Sequence, residues 1–278
     1  MISEAFKGQF SPDCQLALTA AEAAGIRIRE IYARDFSVRE KENNEGPVTE
    51  ADVASNQVIS EILNTSGYPI LSEETADSAD RLNAEKVWIV DPIDGTQDFI
   101  DHNDEFTVLI GLVDNGIPAI GIVYQPARER YFIAEKGRGA FLVQDNKLSK
   151  IGVSKTDDFN VAEALVSRNH LSAAEKEFLG TLGLGSEKQT GSCGLKIAEL
   201  ARGSADIYFS FTRHISQWDT SAGHCLITEA GGAITDTRGQ PLLYNTAVVK
   251  HPEGIVVTNG VLHNRLIEAI RHFYSLSS

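Results

Sequence analysis

An apolar run that ends in two carboxylates, Trp88-Ile89-Val90-Asp91-Pro92-Ile93-Asp94-Gly95-Thr96, constrains this chain more than any other segment. Asp-Pro-Ile-Asp-Gly-Thr is a poor way to finish a core strand, because an unpaired buried carboxylate is costly. It is a good way to hold divalent cations beside a phosphate. The apolar strand fixes the backbone, and Pro92 stiffens the turn by locking φ. Asp91 and Asp94 then project into one small volume. Gly95 allows close backbone approach, and Thr96 opens a helix whose free N–H groups point at an anion.

The chain has 278 residues, enough for one large domain or two lobes with a core each. No stretch approaches the ~18 uninterrupted apolar residues of a membrane helix. Met1 to Lys7 lacks the basic and apolar regions of a signal peptide. Cys14, Cys193 and Cys225 are odd in number and have no metal-type spacing, so a reduced, cytoplasmic setting is expected. A net charge of −14 argues against a duplex nucleic-acid partner. It is compatible with a small anionic substrate, because bound Mg²⁺ would reverse the local polarity of an acidic site. Neither a nucleic acid nor a membrane is expected as a partner, and the pattern sets no oligomeric state.

The remaining pattern alternates helices and strands. Ser11-Pro12 caps a helix from Asp13 to about Ala33. The charged run Arg39 to Gly46 reads as an exposed, mobile loop. Thr49 caps a second helix through about Leu63, with Asp52 in the capping-box position. Short strands are expected at Pro69 to Leu71 and Val87 to Val90. Phe106 to Leu112 and Ile117 to Tyr124 form a hairpin across Asn115-Gly116. Strands follow at Arg130 to Ala134 and Gly139 to Val143. The polar stretch Ser154 to Asp158 marks the expected lobe boundary, dividing an N-terminal lobe 1–157 from a C-terminal lobe 158–278. Beyond it lie strands at Ala164 to Ser167, Ala205 to Phe209, Ala233 to Thr235 and Gly254 to Thr258. Helices are expected at Ala173 to Leu182, Cys193 to Ala201, Asp219 to Ala230 (closed by Gly231-Gly232) and Val261 to Tyr274. The fold class is α+β, with layered helices and sheets in two lobes.

Acidic residues stand at the ends of these elements. Glu73 and Glu74 close one strand, Asp91 and Asp94 the next, and Asp52 and Asp219 lie in first helical turns. Taken singly, each has a structural reading as a helix cap, a turn residue or a solvated strand exit. Together they suit Mg²⁺, a hard ion that takes oxygen ligands and keeps several waters. Two such ions ~3.5–4 Å apart can clamp the attacking and leaving oxygens of an in-line displacement. The seven histidines show no zinc spacing, and there is neither a Gly-x-Ser-x-Gly elbow nor a P-loop. His102, His214, His224 and His251 read as surface or packing residues, and Cys193 as a small apolar residue.

Pro47 to Asp52, Leu71-Ser72-Glu73-Glu74, Trp88 to Thr96 and Trp218 to Gly223 together resemble the inositol monophosphatase superfamily of Mg²⁺-dependent, lithium-sensitive phosphatases. The similarity runs from about Thr49 to Asn259. It implies a layered α-β-α-β-α sandwich with the site between the lobes. It also implies two or three Mg²⁺ ions: one held by Glu73, Asp91 and the Ile93 carbonyl, a second by Asp91, Asp94 and Asp219. A third, weaker ion would lie near Glu73 and Glu74. Asp52 and Thr96 would orient and deprotonate the attacking water, and Gly95 and Thr96 would offer N–H groups to the phosphate. A threonine hydroxyl is too poor a base alone, so a neighbouring carboxylate must take the proton.

Within the superfamily the chain looks most like the 3′(2′),5′-bisphosphate nucleotidases of sulfur assimilation. Phe106-Thr107-Val108, Val166-Ser167-Arg168-Asn169-His170 and Gly191-Ser192-Cys193-Gly194-Leu195-Lys196 carry that similarity. It implies a substrate pocket lined by Ser192, Cys193, Gly194 and Asp219, with Lys196 on the second phosphate of adenosine 3′,5′-bisphosphate. One feature departs from the subfamily: Phe209-Ser210 follows Tyr208 where many of these enzymes soon place an Arg, and Arg213 and His214 come later. An inositol- or sugar-phosphate phosphatase with the same metal core is the alternative, and a non-enzymatic metal-dependent binding protein the third.

Overall fold

A computed structural model describes Phe6, residues 8–41 and residues 46–276 of the chain. In chain order the principal elements are α1 (Pro12–Tyr32), β1 (Val38–Glu40), β2 (Pro47–Thr49), α2 (Glu50–Leu63), β3 (Ile70–Ser72), β4 (Lys86–Asp94), α3 (Thr96–Ile100), β5 (Thr107–Asp114), β6 (Ile117–Gln125), β7 (Arg130–Glu135), β8 (Gly139–Gln144) and β9 (Lys147–Ile151). Then follow β10 (Glu163–Ser167), α4 (Ala173–Leu182), β11 (Ser186–Thr190), α5 (Cys193–Ala201), β12 (Ile207–Ser210), α6 (Gln217–Glu229), β13 (Ala233–Thr235), β14 (Ile255–Thr258) and α7 (His263–Leu276).

Strands β3 to β9 form one sheet in sequential order, antiparallel except for the parallel β3–β4 pair. The second sheet has the order β11-β10-β12-β14-β13. Trp88 and Val90 face one side of the large sheet, where Leu18, Ile28 and Ile59 of α1 and α2 cover them. Val87 and Ile89 face the other side, against Ile197 of α5 and Leu226 of α6. That central helical layer also packs on Leu165, Tyr208 and Val257 of the small sheet. The far side of the small sheet carries Val166, Ile207 and Val256, covered by Phe178 of α4 and Leu266 of α7. The expected α-β-α-β-α sandwich is therefore the observed one. Both faces of β4 are buried, so it reads as a continuous apolar run rather than an alternation.

Several local expectations hold. Ser11 Oγ caps α1, accepting from Cys14 N at 3.3 Å. Thr49 and Asp52 form a capping box on α2. Asn115 and Gly116 both have positive φ, as a type I′ hairpin turn requires. Other expectations are corrected. The run from Arg39 is not simply a mobile loop: Arg39 and Glu40 belong to β1, paired with β2, and Lys41 is half-buried. Its residues 42–45 lie outside the described residues. Strand β4 does not stop at Val90 but continues through Asp94. Strand β8 is where the sequence places a strand, but its partner β9, reached through a turn with Asp145 and Asn146 at positive φ, has no counterpart in the sequence expectation. Exposed β11 (Ser-Glu-Lys-Gln) is another unforeseen strand, because it carries no apolar alternation to signal it. Among the described residues, no helix is long and apolar enough to cross a membrane.

Candidate metal and phosphate site

The parallel pairing of β3 with β4 sets Ser72 beside Val90, and Glu73 N continues the ladder onto Val90 O at 3.2 Å. Glu73 and Asp91 thus leave the same end of the sheet side by side, close enough for the Glu73 charge to raise Asp91. Asp94 needs a further device. Side chains alternate along a strand, so residues three apart point to opposite faces. Between Asp91 and Asp94 the register shifts: Asp91 lies opposite Leu109, yet Asp94 lies opposite Thr107. The extra residue is a β-bulge, and it returns both aspartates to one face. Asp91 Oδ1 accepts Ile93 N at 3.0 Å across it.

Asp219 arrives from α6. Its Oδ2 accepts Ser216 N at 2.6 Å in a capping box, so the helix start fixes the carboxylate. Helix α6 lies very close to the sheet at the paired glycines Gly111 and Gly121, where a Cβ would overlap Ser221 and Ala222 respectively. As a result, oxygens of Asp91, Asp94 and Asp219 lie within 4.8 Å of one another. Burial pushes Asp91 and Asp219 well above the ordinary carboxylate range, and the neighbouring carboxylates add to it. Burial also raises Glu73, against the pull of Lys41. Among the described residues, no Lys or Arg pairs directly with Asp91, Asp94 or Asp219. An all-oxygen cluster of buried, mutually repelling carboxylates is the donor set a hard divalent cation satisfies.

Lys41 is the residue that sequence reasoning missed. Its Nζ lies 2.6 Å from Glu73 Oε1 and 2.5 Å from Glu74 Oε1, between the two carboxylates assigned to the third ion. Nothing in a mixed run of charges distinguishes it, because the contact joins residues more than thirty positions apart in the chain.

Asp52 serves two neighbours with its two oxygens. Oδ2 accepts Thr49 N at 2.7 Å and Thr49 Oγ1 at 2.6 Å, while Oδ1 faces Thr96 Oγ1 at 3.3 Å. The cap reading and the Thr96 pairing are thus compatible. Burial raises Asp52 to about 6. Thr96 Oγ1 also lies 3.2 Å from the Ile93 carbonyl. Gly95 precedes Thr96 at φ 94°, and a Cβ there would sit 3.1 Å from Glu105 O. Only glycine meets both conditions easily.

The Gly191–Gly194 turn supplies the opposite wall. Asp94 accepts Ser192 Oγ at 2.5 Å, Gly194 N at 2.7 Å and Cys193 N at 3.1 Å. Ser192 holds φ 53°, a backbone strain retained where three bonds converge on one carboxylate. A Cβ on Gly194 would overlap Leu109, so its small size lets the start of α5 lie close against β5 of the large sheet. Lys196 is buried beneath the turn, and burial lowers its ammonium. Its Nζ donates to Ser192 O at 2.8 Å and Thr190 O at 3.1 Å. Arg213 and His214 are exposed, whereas His224 and His251 pack around Tyr244.

The sequence profile of the inositol monophosphatase family matches residues 11–273. The 3′(2′),5′-bisphosphate nucleotidase CysQ of Escherichia coli K12 is 38% identical over 238 residues, covering 83% of this chain and 92% of that protein. Among solved structures, CysQ from Bacteroides thetaiotaomicron superposes with a TM-score of 0.76 at 31% identity, covering 90% of this chain and 98% of that one. Inositol monophosphatase from Anabaena superposes with a TM-score of 0.77 at 30% identity, covering 93% and 95%. With residues 11–273 matched by the family profile and the fold matched over nine-tenths of the chain, the chain belongs to the inositol monophosphatase family.

Proposed function

We propose that the protein is a Mg²⁺-dependent phosphomonoesterase that removes the 3′-phosphate of adenosine 3′,5′-bisphosphate, giving AMP and inorganic phosphate. The carrying observation is the cluster of Asp91, Asp94 and Asp219 in a chain 38% identical to a 3′(2′),5′-bisphosphate nucleotidase. Glu73, Asp91, Asp94, Asp219 and the Ile93 carbonyl would hold two ions, with Glu74 near a third. When bound, Mg²⁺ supplies positive charge to phosphoryl oxygens and lowers the pKa of a coordinated water.

The protein's own groups do the rest. Gly95 and Thr96 present backbone N–H groups to the phosphate. Thr96 Oγ1, held by Asp52, orients the attacking water and passes its proton to Asp52. The raised Asp52 pKa of about 6 suits that acceptor role near neutral pH. The water oxygen bonds to phosphorus as the bond from phosphorus to the ribose 3′-oxygen breaks, and that oxygen leaves with the bonding pair and takes up a proton to become the 3′-hydroxyl of AMP. Asp219 and the Ser192-Cys193-Gly194 turn border the substrate. A cytoplasmic site of action accords with three free cysteines.

Phosphate release from adenosine 3′,5′-bisphosphate, AMP, inositol 1-phosphate and fructose 1,6-bisphosphate, measured side by side with Mg²⁺, tests this reading. The bisphosphate nucleotide is expected to give the highest kcat/KM. Preference for inositol or sugar phosphate would replace the substrate assignment and leave only the metal chemistry. By the family resemblance we also expect inhibition by millimolar lithium, measured in the same assay. An insensitive enzyme would count against the third-ion geometry.

A further inference from the structure

Lys196 is buried beneath its turn with two of its three donors on backbone carbonyls, so a more exposed cation at the same edge is better placed to read a second anionic group. Strands β11, β10 and β12 run parallel. Their carboxyl ends therefore bring Arg168, Gly191 and Phe211 to one edge of the small sheet. Ligands of open parallel sheets gather at that edge. Here it also faces the metal cluster, through the bonds from Ser192, Cys193 and Gly194 to Asp94.

Arg168 is fixed at this edge by two carboxylates. Its Nη2 lies 2.6 Å from Glu105 Oε2, the oxygen that also accepts Gly191 N at 2.7 Å. Its Nε is buried, with no hydrogen bond and only a 3.4 Å approach to Asp98 Oδ1. Asp98 is held in turn by Asn103 Nδ2 at 2.7 Å and Asn169 Nδ2 at 3.4 Å. Glu105 and Asp98 also lie close to both glycine turns of the site. A Cβ on Gly95 would sit 3.1 Å from the main-chain carbonyl oxygen of Glu105, and one on Gly191 would overlap the Asp98 carboxylate. A guanidinium carries five N–H donors in a rigid fork. Among the described residues Nη1 has no hydrogen-bond partner, and about a third of the side chain (32%) is exposed. The group is thus oriented in advance and retains an open donor edge, the condition for binding a phosphate at low ordering cost.

We propose that Arg168, held by Glu105 and Asp98, forms the anion subsite that reads the phosphate that is not hydrolysed. The proposal rests on the nucleotidase reading above. Glu105 and Asp98 are positioning residues in it, and Arg168 is the specificity residue. It also explains how the chain manages without an Arg soon after Tyr208.

The test compares adenosine 3′,5′-bisphosphate with adenosine 3′-phosphate, which presents the same scissile phosphate and lacks the second. Arg168→Ala is expected to raise KM for the bisphosphate about 10- to 100-fold, the span of a lost charge-assisted hydrogen bond. It should leave kcat/KM for adenosine 3′-phosphate within about twofold. Arg168→Lys, which keeps the charge and loses the fork, should recover part of the discrimination. Should Arg168→Ala not fold, Arg168→Gln carries the same comparison. Equal losses on both substrates, or no loss on either, would overturn the proposal while leaving the nucleotidase reading intact. A parent enzyme that itself shows no preference for the bisphosphate would overturn both.

Discussion

Asp94→Asn is expected to lower kcat/KM for the preferred substrate by at least ~10²-fold, with a circular-dichroism spectrum close to that of the parent protein. The size follows from two losses at one side chain. The first is a unit of negative charge from the cluster that Asp94 forms with Asp91 and Asp219. The second is an acceptor. Both carboxylate oxygens are used, Oδ1 by Cys193 N and Oδ2 by Ser192 Oγ and Gly194 N. An amide has only one oxygen, so in either orientation its NH₂ meets a backbone N–H. An unmet buried donor costs on the order of 1–3 kcal/mol, and relaxation of the Gly191–Gly194 turn can relieve it only by moving Ser192. Retention of turnover by a folded Asp94→Asn protein would remove the basis for placing Asp94 among the metal ligands.

The second large effect is expected from metal removal. Chelation should abolish turnover and lower Tm by several degrees, reversibly on return of Mg²⁺. At a hundredfold excess over Kd one bound ligand adds about 2.7 kcal/mol, and each kcal/mol moves Tm by roughly 2–4 °C in a chain near this size. The pH dependence has a definite sign. Asp91, Asp219 and Glu73 have folded pKa values raised above their unfolded ones, chiefly by burial. Without metal, their contribution to stability is present below the ordinary carboxylate range and is lost as pH rises through the folded values. Mg²⁺ binds the ionised forms, so the gain in Tm on adding it should be larger at pH 8 than at pH 6. His224 and His251 work in the opposite direction. Burial lowers each to about 4, so both protein forms should lose stability as pH falls from 6.5 towards 4. Thermal melts with and without chelator across that range measure both slopes. A Mg²⁺ shift that did not grow with pH would argue that the cluster is not the binding site.

Much of the architecture was legible because its signals are local. The Asn115-Gly116 hairpin, the caps at Ser11 and Thr49 and the glycine after α6 each follow from φ preferences or short-range hydrogen bonds. Exposed β11 and β9 were not legible, since their pairing is imposed by neighbours rather than by an apolar alternation. The same division applies to the site. Asp91 and Asp94 stand out in the sequence because two carboxylates follow a buried strand. Lys41 and Glu105 do not, because charged residues in ordinary loops gain meaning only from what they touch.

By itself, the sequence determined the kinds of groups available: oxygen donors at strand and helix starts, a threonine beside a carboxylate, a small-residue turn, and enough apolar strand to bury them. The tertiary structure decided how they meet. One extra residue between Asp91 and Asp94 turned both to the same face. Two glycines, Gly111 and Gly121, let α6 lie close enough to the sheet to bring in Asp219. The packing of the small sheet buried Lys196 under its own turn and left Arg168 clamped at the edge. These outcomes depend on register and on the distance between layers, which are set by contacts far apart in the chain, so no local pattern encodes them.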